Sequence, residues 1–266
     1  MQRLHLIEIE DQAWCPRFIR DALTDYLQFS IERLRLYAPV VPRLGEVLER
    51  LGTSRVVDLC SGASGPWLAL LPALEAHLGR RLDVRLSDYY PNRQAFEQVR
   101  AASEGRIDFE PEPVDATRVP ERLKGFRTIF TAFHHFRPEQ AREILRDAVR
   151  QRQGIAVFEF TQRNAIALMG MPVSLLAVFF VTPFLRPFRW SRLLATYLLP
   201  LIPMAVFIDG VVSCLRTYTP DELRTLIAEL GETDYEWEIG EDPIPHSPIA
   251  ATWLIGYPRD AARHLP

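Results

Sequence analysis

Residues 56–67 read Val56-Val57-Asp58-Leu59-Cys60-Ser61-Gly62-Ala63-Ser64-Gly65-Pro66-Trp67. An apolar run ends in an acid, a short Ser/Gly loop follows, and residues 67–78 carry a helical pattern. A strand that breaks through small residues into a helix makes a ligand-binding corner. Its glycines let the backbone turn and let a ligand come close, and the helix start offers N–H groups without intrahelical partners. Asp58, Cys60, Ser61, Gly62 and Gly65 are the candidate contacts there. Taken alone, the two glycines would also fit an ordinary turn.

The same texture continues outward. Short β-branched or apolar runs at 84–87, 107–109, 128–131 and 155–160 alternate with helical patterns at 94–102 and 139–152. Strands separated by helices predict a mostly parallel sheet covered on both faces. Thr219-Pro220-Asp221-Glu222 opens a last helix, with a capping hydroxyl, a first-turn proline and acids at the positive helix end. Runs 235–239 and 249–256 have no helix between them and predict an antiparallel hairpin. Upstream, residues 11–51 read as helical, interrupted at Pro39 and Pro42.

Three further groups sit where such a sheet presents its ligand edge. The second strand ends at Asp88 in Arg85-Leu86-Ser87-Asp88-Tyr89-Tyr90, where a carboxylate can accept both hydroxyls of a ribose. It could equally be a helix-capping aspartate. Tyr89 is placed to cover an adenosine. After the third strand, Asp115, followed by Ala116, can accept a bond from an adenine amino group. The fourth strand runs into Phe133-His134-His135-Phe136.

These pieces, in this order, resemble the class I S-adenosylmethionine-dependent methyltransferases of the small-molecule type. The likeness covers roughly residues 55–160 and 219–257. It implies a Rossmann-like α/β fold, a mostly parallel seven-stranded sheet with an antiparallel C-terminal hairpin; it does not explain residues 1–50 or 161–218, whose own patterns read as N-terminal helices and a hydrophobic helical insertion. It implies S-adenosylmethionine as cofactor, held by the residues named above and by Phe133. Cys60 departs from the pattern by standing where the family has its first loop glycine, and Ser64 and Gly65 shift the last one. His134 and His135 are the candidate general bases, since a neutral imidazole is available near pH 7. In this family the same motif often only shapes the cofactor pocket.

Composition sets bounds. The chain has 266 residues and a net charge of −3, without the basic footprint of a nucleic-acid binder. Cys15, Cys60 and Cys214 are too scattered for a disulfide framework or a four-cysteine zinc site. No metal is expected, and a reducing, cytoplasmic setting is. The N-terminus carries acids where a signal peptide has its apolar run.

Residues 161–218 break the alternation. They hold five arginines and one aspartate, and 165–185 and 193–208 carry no charge. A membrane-spanning hairpin would put Arg186, Arg189 and Arg192 on the far side, against the positive-inside preference. Two readings remain: a dry lid over the pocket, or a lid that touches the inner face of a membrane. Both imply a lipophilic small-molecule acceptor, with Glu159, Asp209, Arg216 and Tyr218 as its candidate contacts. Tyr26 and Tyr37 are candidate wall residues from the N-terminal helices. The organisation expected is thus an N-terminal helical extension (1–54), a cofactor-binding core (55–160), a hydrophobic lid (161–218) and a C-terminal helix and hairpin (219–266). Two other classes share these features: a membrane-associated, non-catalytic cofactor-binding protein, and an enzyme of the same fold with a non-methyl reaction.

Overall fold

The computed structural model describes residues 1–260 apart from Ala13, Arg35, Ala63, Ser64, Pro187, Glu232, Thr233 and His246. Seven strands form one sheet: β1 (Arg55–Leu59), β2 (Asp83–Leu86), β3 (Ile107–Phe109), β4 (Phe126–Phe130), β5 (Ile155–Glu159), β6 (Tyr235–Pro243) and β7 (Ala250–Pro258). Their spatial order is 3-2-1-4-5-7-6. The first five are parallel, and β7 pairs antiparallel with both β5 and β6. This is the expected mixed sheet with its terminal hairpin. The parallel strands are buried on both faces because alternate residues enter different cores. Val56 joins one apolar cluster, and Val57 and Leu59 join the other.

The first cluster is filled from α2 (Val40–Arg50), α3 (Trp67–Leu78) and α4 (Arg93–Ala102), through Leu44, Leu48, Trp67, Leu71 and Phe96. The second is filled from α5 (Pro138–Arg150) and α9 (Pro220–Ala228), through Ile144, Leu145, Leu223 and Leu226. The last helix starts as its sequence predicts. The Glu222 N–H donates to Thr219 Oγ1 (3.3 Å), and the Thr219 N–H donates back to the Glu222 carboxylate (2.9 Å).

The N-terminal extension is helical over most of the periodic stretch and irregular before it. Helix α1 spans Arg17–Leu34, while residues 1–12 run without regular structure along α8 (Leu201–Arg216), where the Leu4 N–H donates to the Leu215 carbonyl at 3.0 Å. The insertion forms α6 (Ala165–Val181), a short α7 (Trp190–Leu193) that widens into a π turn over Leu194–Leu198, and α8. Its prolines divide it: Pro183 lies in the 3-10 turn after α6, and Pro200 sits immediately before α8. Helices α6 and α8 pack together, closely enough that a Cβ on Gly210 would stand 2.7 Å from the Met171 sulfur.

Candidate functional site

The corner after β1 adopts the backbone its sequence demands. Gly62 and Gly65 have φ of 57° and 55°, and Cys60 sits at 58°. Left-handed backbone costs a non-glycine residue about 1–2 kcal/mol, so Cys60 accepts strain to make a turn that a glycine makes freely. Asp58 is buried beneath the loop and organises it. Thr128 Oγ1 donates to one carboxylate oxygen and Ser61 Oγ to the other, each at 2.6 Å. Burial raises the Asp58 pKa to about 6 despite those two donors.

Asp88 stands at the tip of β2. Its two oxygens accept the Gly62 N–H (2.9 Å) and the Tyr90 N–H (2.8 Å), which ties the second strand to the glycine loop. Asp115 accepts both the Thr117 N–H (2.8 Å) and the Thr117 hydroxyl (2.7 Å) through Oδ1. At the end of β4, Thr131 has φ of 47°, a rare conformation for a β-branched residue, and its hydroxyl bonds the Tyr37 hydroxyl at 3.0 Å.

These groups open on one cavity of about 1420 Å³. Every expected cofactor residue except Phe133 lies on its wall, as do His135 and Tyr37. The opposite wall comes from Arg17, Arg20, Asp21 and Thr24 of α1, with Glu10 and Asp11 before it. A wall from the N-terminal helices was expected through Tyr26 and Tyr37, but these polar residues were not among the candidates. Their polar stripe reads as a solvent face in the sequence, and only its coincidence with an apolar stripe on the other side of the same helix hints at two packed faces.

Six expected site residues lie off the wall, each for a visible reason. Phe133 is fully buried against Tyr218, with ring centroids 5.6 Å apart. Glu159 accepts the His134 backbone N–H (3.1 Å) and pairs with His134 Nδ1 (2.8 Å), so both side chains are spent on the turn after β4. Asp209 accepts the N–H groups of Ile9 (2.6 Å) and Glu10 (3.1 Å). Arg216 donates to the Leu6 carbonyl (2.7 Å) and to Asp11 (2.9 Å). The Tyr218 hydroxyl donates to the Phe136 carbonyl (2.7 Å), under the Arg3 guanidinium. Asp209 and Arg216 thus fasten the N-terminal segment rather than face the cavity. Tyr26 is likewise turned away, bonding Ser174 at 3.1 Å.

The lid is also reassigned. Among the described residues, none from 161–218 lines the cavity. Helix α1 lies between: Ile19 and Leu23 pack on Ala205, and Ala22 packs with Val178, Ala195 and Ile202. The insertion is therefore a second layer behind α1. Its arginines mostly pair with the rest of the protein: Arg163 with Glu222, Arg189 with Asp21 and Arg192 with Asp25.

His135 is the titratable group best placed for chemistry. Its Nδ1 lies 3.2 Å from both Asp11 and the buried Glu8, beside Arg216. Burial lowers its pKa, but the Asp11, Glu8 and Glu10 carboxylates outweigh burial and raise it to about 9. Glu8, His134 and His135 have ligand atoms within 4.8 Å of one another, a spacing that would suit a metal ion. Arg216 already supplies a fixed cation 3.2 Å from Glu8, so the group is read as an ion-pair cluster.

No protein-family profile and no curated protein matches the chain. Solved structures do. The CMeT domain of the citrinin polyketide synthase superposes with a TM-score of 0.53 at 13% identity, over 95% of this chain and 60% of that one. An O-methyltransferase family protein from Burkholderia thailandensis gives 0.48 at 18% identity, over 86% and 58%. The plantazolicin methyltransferase BpumL, in complex with SAH, gives 0.45 at 12% identity, over 91% and 98%. The chain spans about six-tenths of the length of the first two. With its sheet order 3-2-1-4-5-7-6 and the superposition on the CMeT domain, the chain has the fold of the class I S-adenosylmethionine-dependent methyltransferases.

Proposed function

We propose that the protein is an S-adenosylmethionine-dependent methyltransferase acting on a lipophilic or lipid-like small molecule. The observation that carries the cofactor reading is Asp88, a cavity-wall carboxylate pinned through both oxygens to the loops that would cradle a nucleoside. The cleft fits the group. The backbone at Gly62 and Gly65 comes to the cavity without side chains, and a Cβ on Gly65 would press to 3.3 Å from Asp58 Oδ2. Asp88 would hold the ribose hydroxyls, Asp115 the adenine amino group, and Tyr89 would cover the base. When bound, the sulfonium supplies an already activated methyl group.

The protein's own part is orientation, exclusion of water and control of one proton. Helix α1 and the segment carrying Glu10 and Asp11 roof the cavity opposite the glycine loop. Asp11 fixes the His135 ring at the wall, as a base-orienting carboxylate does. Below pH 9 the ring carries a proton and donates to an acceptor oxygen. As pH rises through about 9 it becomes a base able to take the acceptor's proton. The wall that α1 supplies is polar and suits the reacting head of an amphiphile. The apolar insertion lies behind α1, so it supports a lipophilic acceptor only through where it holds the enzyme.

The test is calorimetric titration with S-adenosylhomocysteine, wild type beside Asp88→Ala. Micromolar binding that weakens at least tenfold in the variant supports the assignment. A folded wild type that does not bind sinks it. Binding without methylation across a panel of amphiphilic alcohols and phenols would favour the non-catalytic reading.

A further inference from the structure

The sequence from 161 to 208 contains no acid. Its longest helical stretch, Ala165–Phe184, has a mean hydropathy of 2.2, yet only 17% of it is buried inside the protein. Ile166, Met169, Val173, Leu176, Phe180 and Phe184 follow one another at three- and four-residue steps, from 49% exposed at Ile166 to 76% at Phe180. At about 200 Å² per large side chain, these six alone expose on the order of 700 Å², above the roughly 300–600 Å² of the largest patch on a typical monomer. Leu201, Met204 and Ile208 of the adjoining α8 add to them.

Helix α6 is apolar around its whole circumference. Such a helix belongs in a large core or in lipid, and no core covers this one. At the far end of the hairpin stand Phe184, Phe188, Trp190 and Tyr197, all exposed, with the exposed Arg186 among them in the chain. Aromatic rings and arginine are the side chains that settle at a bilayer's headgroup level. The return leg is bent by 78° between Trp190–Leu198 and Leu201–Arg216. The α7 end is tied to α1 by the Arg189–Asp21 and Arg192–Asp25 pairs, so the hairpin cannot swing away from the soluble body to cross a membrane.

We infer that this face docks the protein on an anionic lipid bilayer, with the α6 stripe immersed in the acyl–headgroup boundary and Arg186 against the headgroups. A bilayer accepts a continuous apolar stripe that ends in aromatics and a cation. Helix α1 separates this stripe from the cavity, so docking leaves the cleft's own wall unchanged. The inference does not depend on the methyl-transfer reading.

The test is flotation of the purified full chain with vesicles of phosphatidylcholine and phosphatidylglycerol, without cofactor, beside a Val173→Asp/Phe180→Asp double variant and an Arg186→Gln variant. Both double-variant positions are largely exposed, and circular dichroism checks that they leave the fold intact. The wild type should float, and the double variant should bind at least tenfold more weakly. Arg186→Gln should lose about fivefold on anionic vesicles and little on pure phosphatidylcholine. Binding by the wild type that the double variant retains would overturn the proposal. So would a wild type that stays in solution, including as a concentration-dependent dimer that the double variant dissociates.

Discussion

Cys60 does at the site what a glycine does elsewhere in this fold, and the backbone bears the cost. Its φ of 58° makes Cys60→Gly a change that stabilises the protein or leaves it within about 1 kcal/mol, since relieved strain and added chain entropy oppose each other. Cys60→Val, β-branched at positive φ, should lose at least 1–2 kcal/mol in urea unfolding. The half-buried thiol, its pKa raised by desolvation and by Asp88, Asp58 and Asp115, should react slowly with alkylating reagents at neutral pH. His135 and Glu10 give a second residue-scale expectation. The folded His135 pKa, about 9, lies above its unfolded value. Its stabilisation is fully present below about pH 6.5 and is lost as pH rises through 9. Burial lifts Glu10 to about 7, and this raised acid also loses stability as pH rises, here between about 4.5 and 7. Denaturant midpoints should fall from pH 5 to pH 9.5, and His135→Gln should flatten the upper half of that curve. An unchanged upper half in the variant would remove His135 from the account.

At the scale of elements, the terminal hairpin is held by tryptophans laid over glycines across the β6–β7 ladder. Trp237 stands opposite Gly256, and Trp253 opposite Gly240. A Cβ at either glycine would fall inside the facing indole ring. Gly256→Ala should therefore cost about 1–3 kcal/mol by forcing the ring out of place, whereas alanine at the exposed end of a strand would not. The β4–α5 contact rests on a different device. Arg127 is fully buried and meets Asp147 at 2.9 Å, and Asp147 also accepts the Val119 N–H at 3.2 Å. Asp147→Ala leaves a buried guanidinium uncompensated, so a loss of about 3–5 kcal/mol is expected. Chemical denaturation of both variants checks these values.

Over the whole molecule, the cavity is shared between two layers distant in sequence: the carboxyl ends of the strands and the N-terminal roof of residues 10–28. The roof is fastened from outside the cavity: Asp209 and Arg216 hold the N-terminal segment, and α1 rests on the insertion through its apolar face and the Arg189–Asp21 and Arg192–Asp25 pairs. A ligand bound between them bridges both layers. S-adenosylhomocysteine at a hundredfold excess over its Kd should stabilise the fold by about 2.7 kcal/mol, and hydrogen exchange should slow in α1 as well as in the glycine loop. Protection confined to the loop would show that α1 does not close on the ligand.

The strands, their order of appearance and the cleft's carboxylates were legible in the chain because they rest on local rules. Alternation of short apolar runs with helical stripes sets the sheet, and Asp58 and Asp88 fall at strand ends and Asp115 in the loop after the third strand wherever the neighbouring strands are placed. Which side the apolar insertion serves was not legible. Its composition is the same whether it covers a pocket or backs another helix, and only packing on Ala22 and Ile19 shows α1 standing between. Glu159, Asp209 and Arg216 look like site residues in sequence because buried charge is costly and often functional. The tertiary structure shows each one's cost offset by a partner up to about two hundred residues away. Local periodicity determined the elements and the ligand edge, while long-range pairing of buried charges and the stacking of one amphipathic helix decided what the cavity sees.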